Sequence, residues 1–507
     1  MGHPTVMVLH INRSHSVRTL LRFLVFSSIF VQLACISPWA RAEHLGQADF
    51  ANSCSPVVQA DFEEAVLLLH SFEFQQAEKT FKQVESADPH CVIAAWGLVL
   101  AETERSGANA PSTVLARGWD ELRPWLDHPA GSIREQMYVN AVRAMYENYQ
   151  EVSEDIRWKH YLEAMDSLCE KYPNDLNAKL FYALGLIWTA GSGQEGLEQR
   201  QKALNILLPI FNEHPDNPGA AHYIIHAADT PELASIALPA ARKYAMVAPD
   251  SPHALHMPSH IFNRLGDWED SIHTNLASAR VAQDWMKHGR GGQFDEQHAL
   301  NNLEYAYLQL GKITEAREVI GKIDEQAKTP GGDLWNSIDA RVYFDIETHD
   351  WVDALTLEPP AKSPFRENFD VYWIHAIAQA RLGKADAARA SLEQFRKSSA
   401  EWIQGHGWGD VLHLALAEAE GWTLYAEGRK GDAIRELSDA ADFEKSHPVY
   451  YADVLPRPAE QMLGDMLLQM GKKEEACAAF KASLSVAPNT FDALQGLQRC
   501  VHDSAGQ

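Results

Sequence analysis

Residues 462–488 read MLGDMLLQMGKKEEACAAFKASLSVAP, and their spacing decides the fold. Leu463, Gly464 and Leu467 fall on one face of a first helix, and Ala476, Phe480 and Ser483 on one face of a second. The small Ala476 lets the two helices approach closely, Phe480 fills the space between them, and Pro488 ends the pair. The pattern returns with a period of about 34 residues. An N-terminal copy has Ala65, Leu68, Ala77, Phe81, Val84 and Pro89. Further copies centre on Ala203, Leu207 and Pro215, on Ala237, Tyr244 and Pro249, on Leu265-Gly266, on Leu310-Gly311 and Ala316, on Leu382-Gly383 and Ala388, and on Ala433 and Leu437. Strand-like alternation is almost absent. The expected fold is all-α, an α-solenoid of stacked helix pairs with a concave face.

The chain has 507 residues, 46% hydrophobic and 22% charged, which is ample for a sizeable core. Its first 42 residues differ: they hold Arg13, Arg18, Arg22 and Arg41, no acidic residue, and an apolar run from Phe23 to Ser37. With Ala40-Arg41-Ala42 behind it, this reads as a cleaved secretory signal and predicts a periplasmic or secreted protein. The run is short for a membrane span. Gln32 ahead of Cys35 argues against a lipoprotein site. Loss of the signal takes the net charge from −25 to −29, a surface unsuited to nucleic acid or anionic membranes. Five cysteines remain, with Cys54–Cys91 and Cys477–Cys500 the expected disulfides and Cys169 the odd one. Breaks in the repeat suggest four segments: the signal at 1–42, N-terminal helices at 43–190, a central part at 191–310 and C-terminal repeats at 311–507.

The central part carries the chemistry. AAHYIIHAAD holds His222 and His226, SPHALHMPSHIF holds His253, His256 and His260, and DEQHALNN holds His298. With Pro249 at repeat position 32, these histidines fall at positions 5 and 9, then 2, 5 and 9, then 2, of three successive copies. Steps of three and four keep them on one helical face. Imidazoles from adjacent helices, packed about 8–10 Å apart, can reach a shared cation. Three readings stay open: a transition-metal site, a polar groove for a small ligand or peptide, and a purely structural set. Asp229, three residues after His226, is either a carboxylate ligand, a partner that orients an imidazole, or equally a cap on the turn at Thr230-Pro231. Arg264 would bind an anionic group or make a surface salt bridge, Met257 should point away from the groove, and His70 lies far along the stack. The glycine-rich segment 287–294 reads as a connector, with a lid over the histidines as the alternative.

The repeat length and pattern are those of the tetratricopeptide repeat, and in that family positions 2, 5 and 9 face the concave groove. The stretches HPDNPGAAHYIIHAAD, LPAARKYAMVAPDSPHALHMPSHIFNRLGDW and HALNNLEYAYLQLG, with the N-terminal NSCSPVVQADFEEAVLLLHSFEFQQAEKTFKQVESADPHC, resemble a family of bacterial secreted tetratricopeptide-repeat proteins. The resemblance implies the fold and the placement of the histidines, and no particular activity. Asn301 departs from it, since relatives tend to carry Asp there.

All-imidazole ligation suits copper first, with iron or zinc as alternatives. Six helix-borne histidines resemble, by analogy, a coupled dicopper oxygen site, which would oxidise a phenol, a peptide or a small natural product. A zinc centre would instead favour hydrolysis. No HExxH, GxSxG or nucleotide-binding loop is present. The competing functions are a non-catalytic peptide- or protein-binding scaffold and a metal carrier or sensor.

Overall fold

The computed structural model describes residues 44–106, 110–329, 334–360, 365–403, 409–447 and 457–502. The secretory signal expected at 1–42 lies outside them. His44 to Gln507 is one compact unit, and among its described residues there are helices and connecting turns but no strand. None of the described helices is long and apolar enough to cross a membrane.

Neighbouring helices pair because small residues on one admit large residues from the next. A Cβ on Gly464 would lie 2.8 Å from the Phe480 ring, and one on Gly421 would lie 2.7 Å from Leu437. Phe81, Phe480 and Tyr244 are fully buried in such seams. Removing a side chain of that size from water contributes about 1.5–3 kcal/mol. The first helix of a pair commonly ends on a left-handed residue: Gly266, Gly311, Gly383, Gly428 and Gly471 all have φ near +70 to +83°. Glycine takes that conformation without a Cβ penalty. Both expected disulfides, Cys54–Cys91 and Cys477–Cys500, are formed, and Cys169 is free and half-buried.

The stack curls back on itself at both ends. Gln47 donates to the carbonyl of Asp216 at 2.9 Å, and Asn177 donates to that of Asp49 at 2.7 Å. One apolar core runs from Leu45 to Trp285, through position 190 without a break. At the other end, Trp268 donates to the carbonyl of Asn489 at 2.9 Å, and the Phe491 amide donates to Gln309 at 3.1 Å. The buried Arg457 ties this closure together, with Glu347 and Asp465 at 3.1 Å and Asp492 at 3.0 Å.

Arg457→Met would remove the cation that three buried carboxylates share, leaving Asp465 with Arg381 at 3.9 Å and Asp492 with Arg499 at 3.8 Å. Breaking such a network typically costs about 3–5 kcal/mol. Urea denaturation should read a loss of that size, and a change below about 1 kcal/mol would show that the network contributes little to the closure.

Candidate metal centre

The histidines sit on helices Pro218–Ala227, Pro252–His256, Pro258–Leu265 and Gln293–Gln309. Asn217 caps the first through the Ala220 amide and Ser251 caps the second through the Ala254 amide, each with proline at the opening position, where its missing N–H is harmless. Pro258 divides the second of these repeats into two short helices, and Met257 between them keeps helical angles. His256 and His260 therefore stand either side of a proline break and still face the same point. Met257 is buried in the apolar core.

The six imidazoles gather into two triads. His222, His226 and His253 form one, and His256, His260 and His298 form the other, with the ligand atoms of each triad within 4.8 Å of one another. In the first, His222 Nε2 lies 3.1 Å from both His226 Nε2 and His253 Nε2. In the second, His256 Nε2 and His260 Nε2 are 3.0 Å apart. Such a separation subtends roughly 95–100° at an ion about 2.0–2.1 Å from each nitrogen, a normal ligand angle. The triads are neighbours: the rings of His253 and His256 are 6.3 Å apart, and those of His226 and His260 6.5 Å.

The far side of three rings is held by an oxygen. His222 Nδ1 donates to the carbonyl of His70 at 2.6 Å, and His260 Nδ1 to Asp229 Oδ2 at 3.0 Å. His256 Nδ1 donates to Asn275 Oδ1 at 2.7 Å, and Asn275 is oriented by its own donation to the Ser271 carbonyl. Each of these bonds places the proton on Nδ1 and leaves the Nε2 lone pair pointing into the cluster. With both rings neutral, two lone pairs would face each other between His256 and His260 at 3.0 Å, with no proton there to hydrogen-bond. A cation between them removes the repulsion. Burial favours the neutral form of four of them: it holds His222, His226, His253 and His256 well below the ordinary imidazole range, reinforced by repulsion from His226, His253, His222 and His298 respectively.

Asp229 stands behind the His260 imidazole. One oxygen accepts from His260 and the other from Arg264 at 2.8 Å, so neither is turned to the Nε2 atoms. Burial alone would raise its pKa, but the Arg264 guanidinium and the His260 N–H hold it well below the usual carboxylate range. The expected surface salt bridge of Arg264 is in fact this buried pair, because the two helices close over it. Asn301 stands outside both triads and donates to the Asn336 carbonyl at 3.2 Å.

His70 corrects the expectation that it lies far from the site. The curl of the stack brings it onto the 218–227 helix, where its Nδ1 meets the Tyr223 hydroxyl at 2.9 Å and its carbonyl holds His222. Burial pushes the His70 imidazole down to about 4. Three residues on, the buried Glu73 accepts from the Ser251 hydroxyl at 2.6 Å. It faces Asp295 at the start of the His298 helix, and burial pushes Asp295 up to about 6. The aromatic ring of Phe72 lies against the first triad, 4.3 Å from His222 and 5.1 Å from His226 between centroids. No spacing pattern ties His70, Phe72 or Glu73 to histidines some 150–180 residues away, and only their position in a turn marks them.

Nitrogen-15 NMR of histidine-labelled apo-protein at neutral pH should show Nδ1-protonated rings at His222, His256 and His260. Nε2-protonated signals for His256 and His260 would contradict the arrangement.

Residues 461–490 match the tetratricopeptide repeat family. Among solved structures, the chain is similar to yeast Tom70, at 15% identity with 89% of this chain and 96% of that one covered and a TM-score of 0.39. It is also similar to the Cut9–Hcn1 hetero-tetramer of APC/C, at 12% identity, 95% and 82% coverage and a TM-score of 0.38. A human IFIT1 dimer with PPP-AAAA gives 10% identity, 87% and 89% coverage and a TM-score of 0.36. No curated protein matches the sequence. The chain thus carries a tetratricopeptide repeat within an all-helical stack of helix pairs.

Proposed function

We propose that this helical-repeat protein is exported and holds a pair of transition-metal ions on its six clustered histidines, copper foremost, with iron or zinc as the other candidates. The observation that carries the reading is the 3.0 Å approach of His256 and His260 through Nε2 atoms whose rings already donate from Nδ1. Neutral imidazole donors with no thiolate among them suit copper. Oxygen partners behind the rings raise their basicity and fix their direction, as metal-binding histidines require.

A pair of one-electron metals held by the two histidine triads would supply two-electron oxidation chemistry with dioxygen as the acceptor. The reading is therefore a metal-dependent oxidoreductase acting on a small molecule or peptide. His226, His253 and His298 are only half-buried, which supports access from solvent. Two zinc ions in the same place would favour hydrolysis by a metal-bound hydroxide.

A second reading, a binding scaffold for a peptide or protein, is supported by the matched tetratricopeptide repeat and the length of helix-pair stack beyond the histidines. In that case the triads are stabilised by a proton shared between rings. A metal carrier without turnover is the third.

Purified, metal-reconstituted protein should contain close to two ions per chain by inductively coupled plasma mass spectrometry. The double variant His256→Ala, His260→Ala should lose at least half of them with helix content kept. The exposed His273→Ala should retain them all. A wild-type protein that takes up no copper, iron or zinc sinks the metal reading and leaves the scaffold. Dioxygen uptake by the loaded protein with a phenolic substrate separates an oxidase from a carrier.

A further inference from the structure

The turn that begins at Ser71 repeats a motif with one residue changed. At Gly266, Gly311, Gly383, Gly428 and Gly471 the left-handed residue donates to the carbonyl three before it, and the next residue donates to the carbonyl five before it. Phe72 and Glu73 make the same two bonds, to Leu69 and Leu68. Phe72 thus occupies the glycine position with a φ of +56°, a conformation that is unusual for a bulky side chain. Strain of this kind persists where surrounding structure imposes it, and it clusters at functional sites.

That strain places an aromatic ring at the first triad. Phe72 is within 5.6 Å of His253 as well as against His222 and His226, and it touches Trp188 at 5.5 Å. Trp188 is 39% exposed and meets His226 edge-on at 5.4 Å. On the second triad, Phe294 is 61% exposed and lies parallel to His298 at 5.7 Å. The segments that bear Phe72 and Phe294 are adjacent. Gln76 donates to the Arg290 carbonyl, and Glu73 faces Asp295. Each histidine with an exposed edge, His226, His253 and His298, therefore has an aromatic neighbour.

From this geometry we propose that Phe72 and Trp188 beside the first triad, and Phe294 beside the second, offer aromatic faces on which the ring of a small-molecule ligand docks, its polar substituent then reaching the imidazoles. This deepens the oxidoreductase reading by naming the substrate class. The docking itself needs no metal, so it can be read separately. Stacked and edge-to-face contacts favour an aromatic ring over an aliphatic one of equal size. The glycine-rich segment expected as a connector supplies one wall through Phe294 and the tie at Arg290, so it belongs to the site.

The test is saturation-transfer NMR and titration calorimetry on the full mature chain, both metal-free and copper-loaded, with 4-nitrophenol, cyclohexanol and the tripeptide Gly-Tyr-Gly as probes. The expected result is binding of 4-nitrophenol in both states, at least fivefold tighter than cyclohexanol. Phe72→Gly installs the residue that five sister turns already use, so the turn survives. It should weaken 4-nitrophenol by about two- to tenfold, as should Phe294→Ala at an exposed position, with helix content and metal content unchanged. Equal affinity for cyclohexanol, or undiminished binding in both variants, overturns the docking site. Binding of the tripeptide alone overturns the small-molecule assignment. Loss of metal uptake with aromatic binding intact counts against the metal centre and leaves the docking site standing.

Discussion

The centre depends on hydrogen bonds made by the backs of the imidazoles. A neutral histidine has one N–H and one lone pair, and whichever nitrogen donates decides where the other points. The His70 carbonyl, the Asp229 carboxylate and the Asn275 amide oxygen each accept from an Nδ1, and the three Nε2 lone pairs consequently turn inward. Arg264 stabilises the charge on Asp229 at 2.8 Å, so the acceptor stays ionised although it is buried. Without these oxygens the same six rings could satisfy themselves by donating to one another.

A stack of helix pairs is ordinarily a chain of nearest-neighbour contacts. Here the two ends return. The turn at Ser71–Glu73 packs on helices that begin at Pro218 and Pro252, and the last repeat packs on the helix that begins at Trp268. The first return brings His70, Phe72 and Glu73 to the histidines. The second encloses Arg457 with its carboxylates and buries the Glu347 carboxyl, whose pKa rises to about 7 because burial outweighs the attraction of Arg457. Rigidity in both places supports side chains that would otherwise be costly to hold: a charged network out of water, and a phenylalanine with a left-handed backbone.

Much of this was legible in the chain. The small-residue and aromatic positions of the repeat pointed to helix pairs, and cysteines about a repeat length apart or less pointed to the two bridges that formed. The three- and four-residue steps among His222, His226, His253, His256, His260 and His298 put them on one face of three successive helices, because helical geometry is local. The roles open to Asp229, as ligand, orienting partner or turn cap, could not be separated in the sequence, since the choice rests on which way Arg264 and His260 approach it.

The sequence by itself determined the helices, their pairing and the row of histidines, all consequences of contacts within one or two repeats. Only the tertiary structure decided that the row divides into two triads, that His70 and Phe72 stand beside it, and that Arg264 is buried. Those facts depend on the curl of the whole stack, which accumulates from small rotations between neighbours. No single repeat encodes that curl in its own pattern.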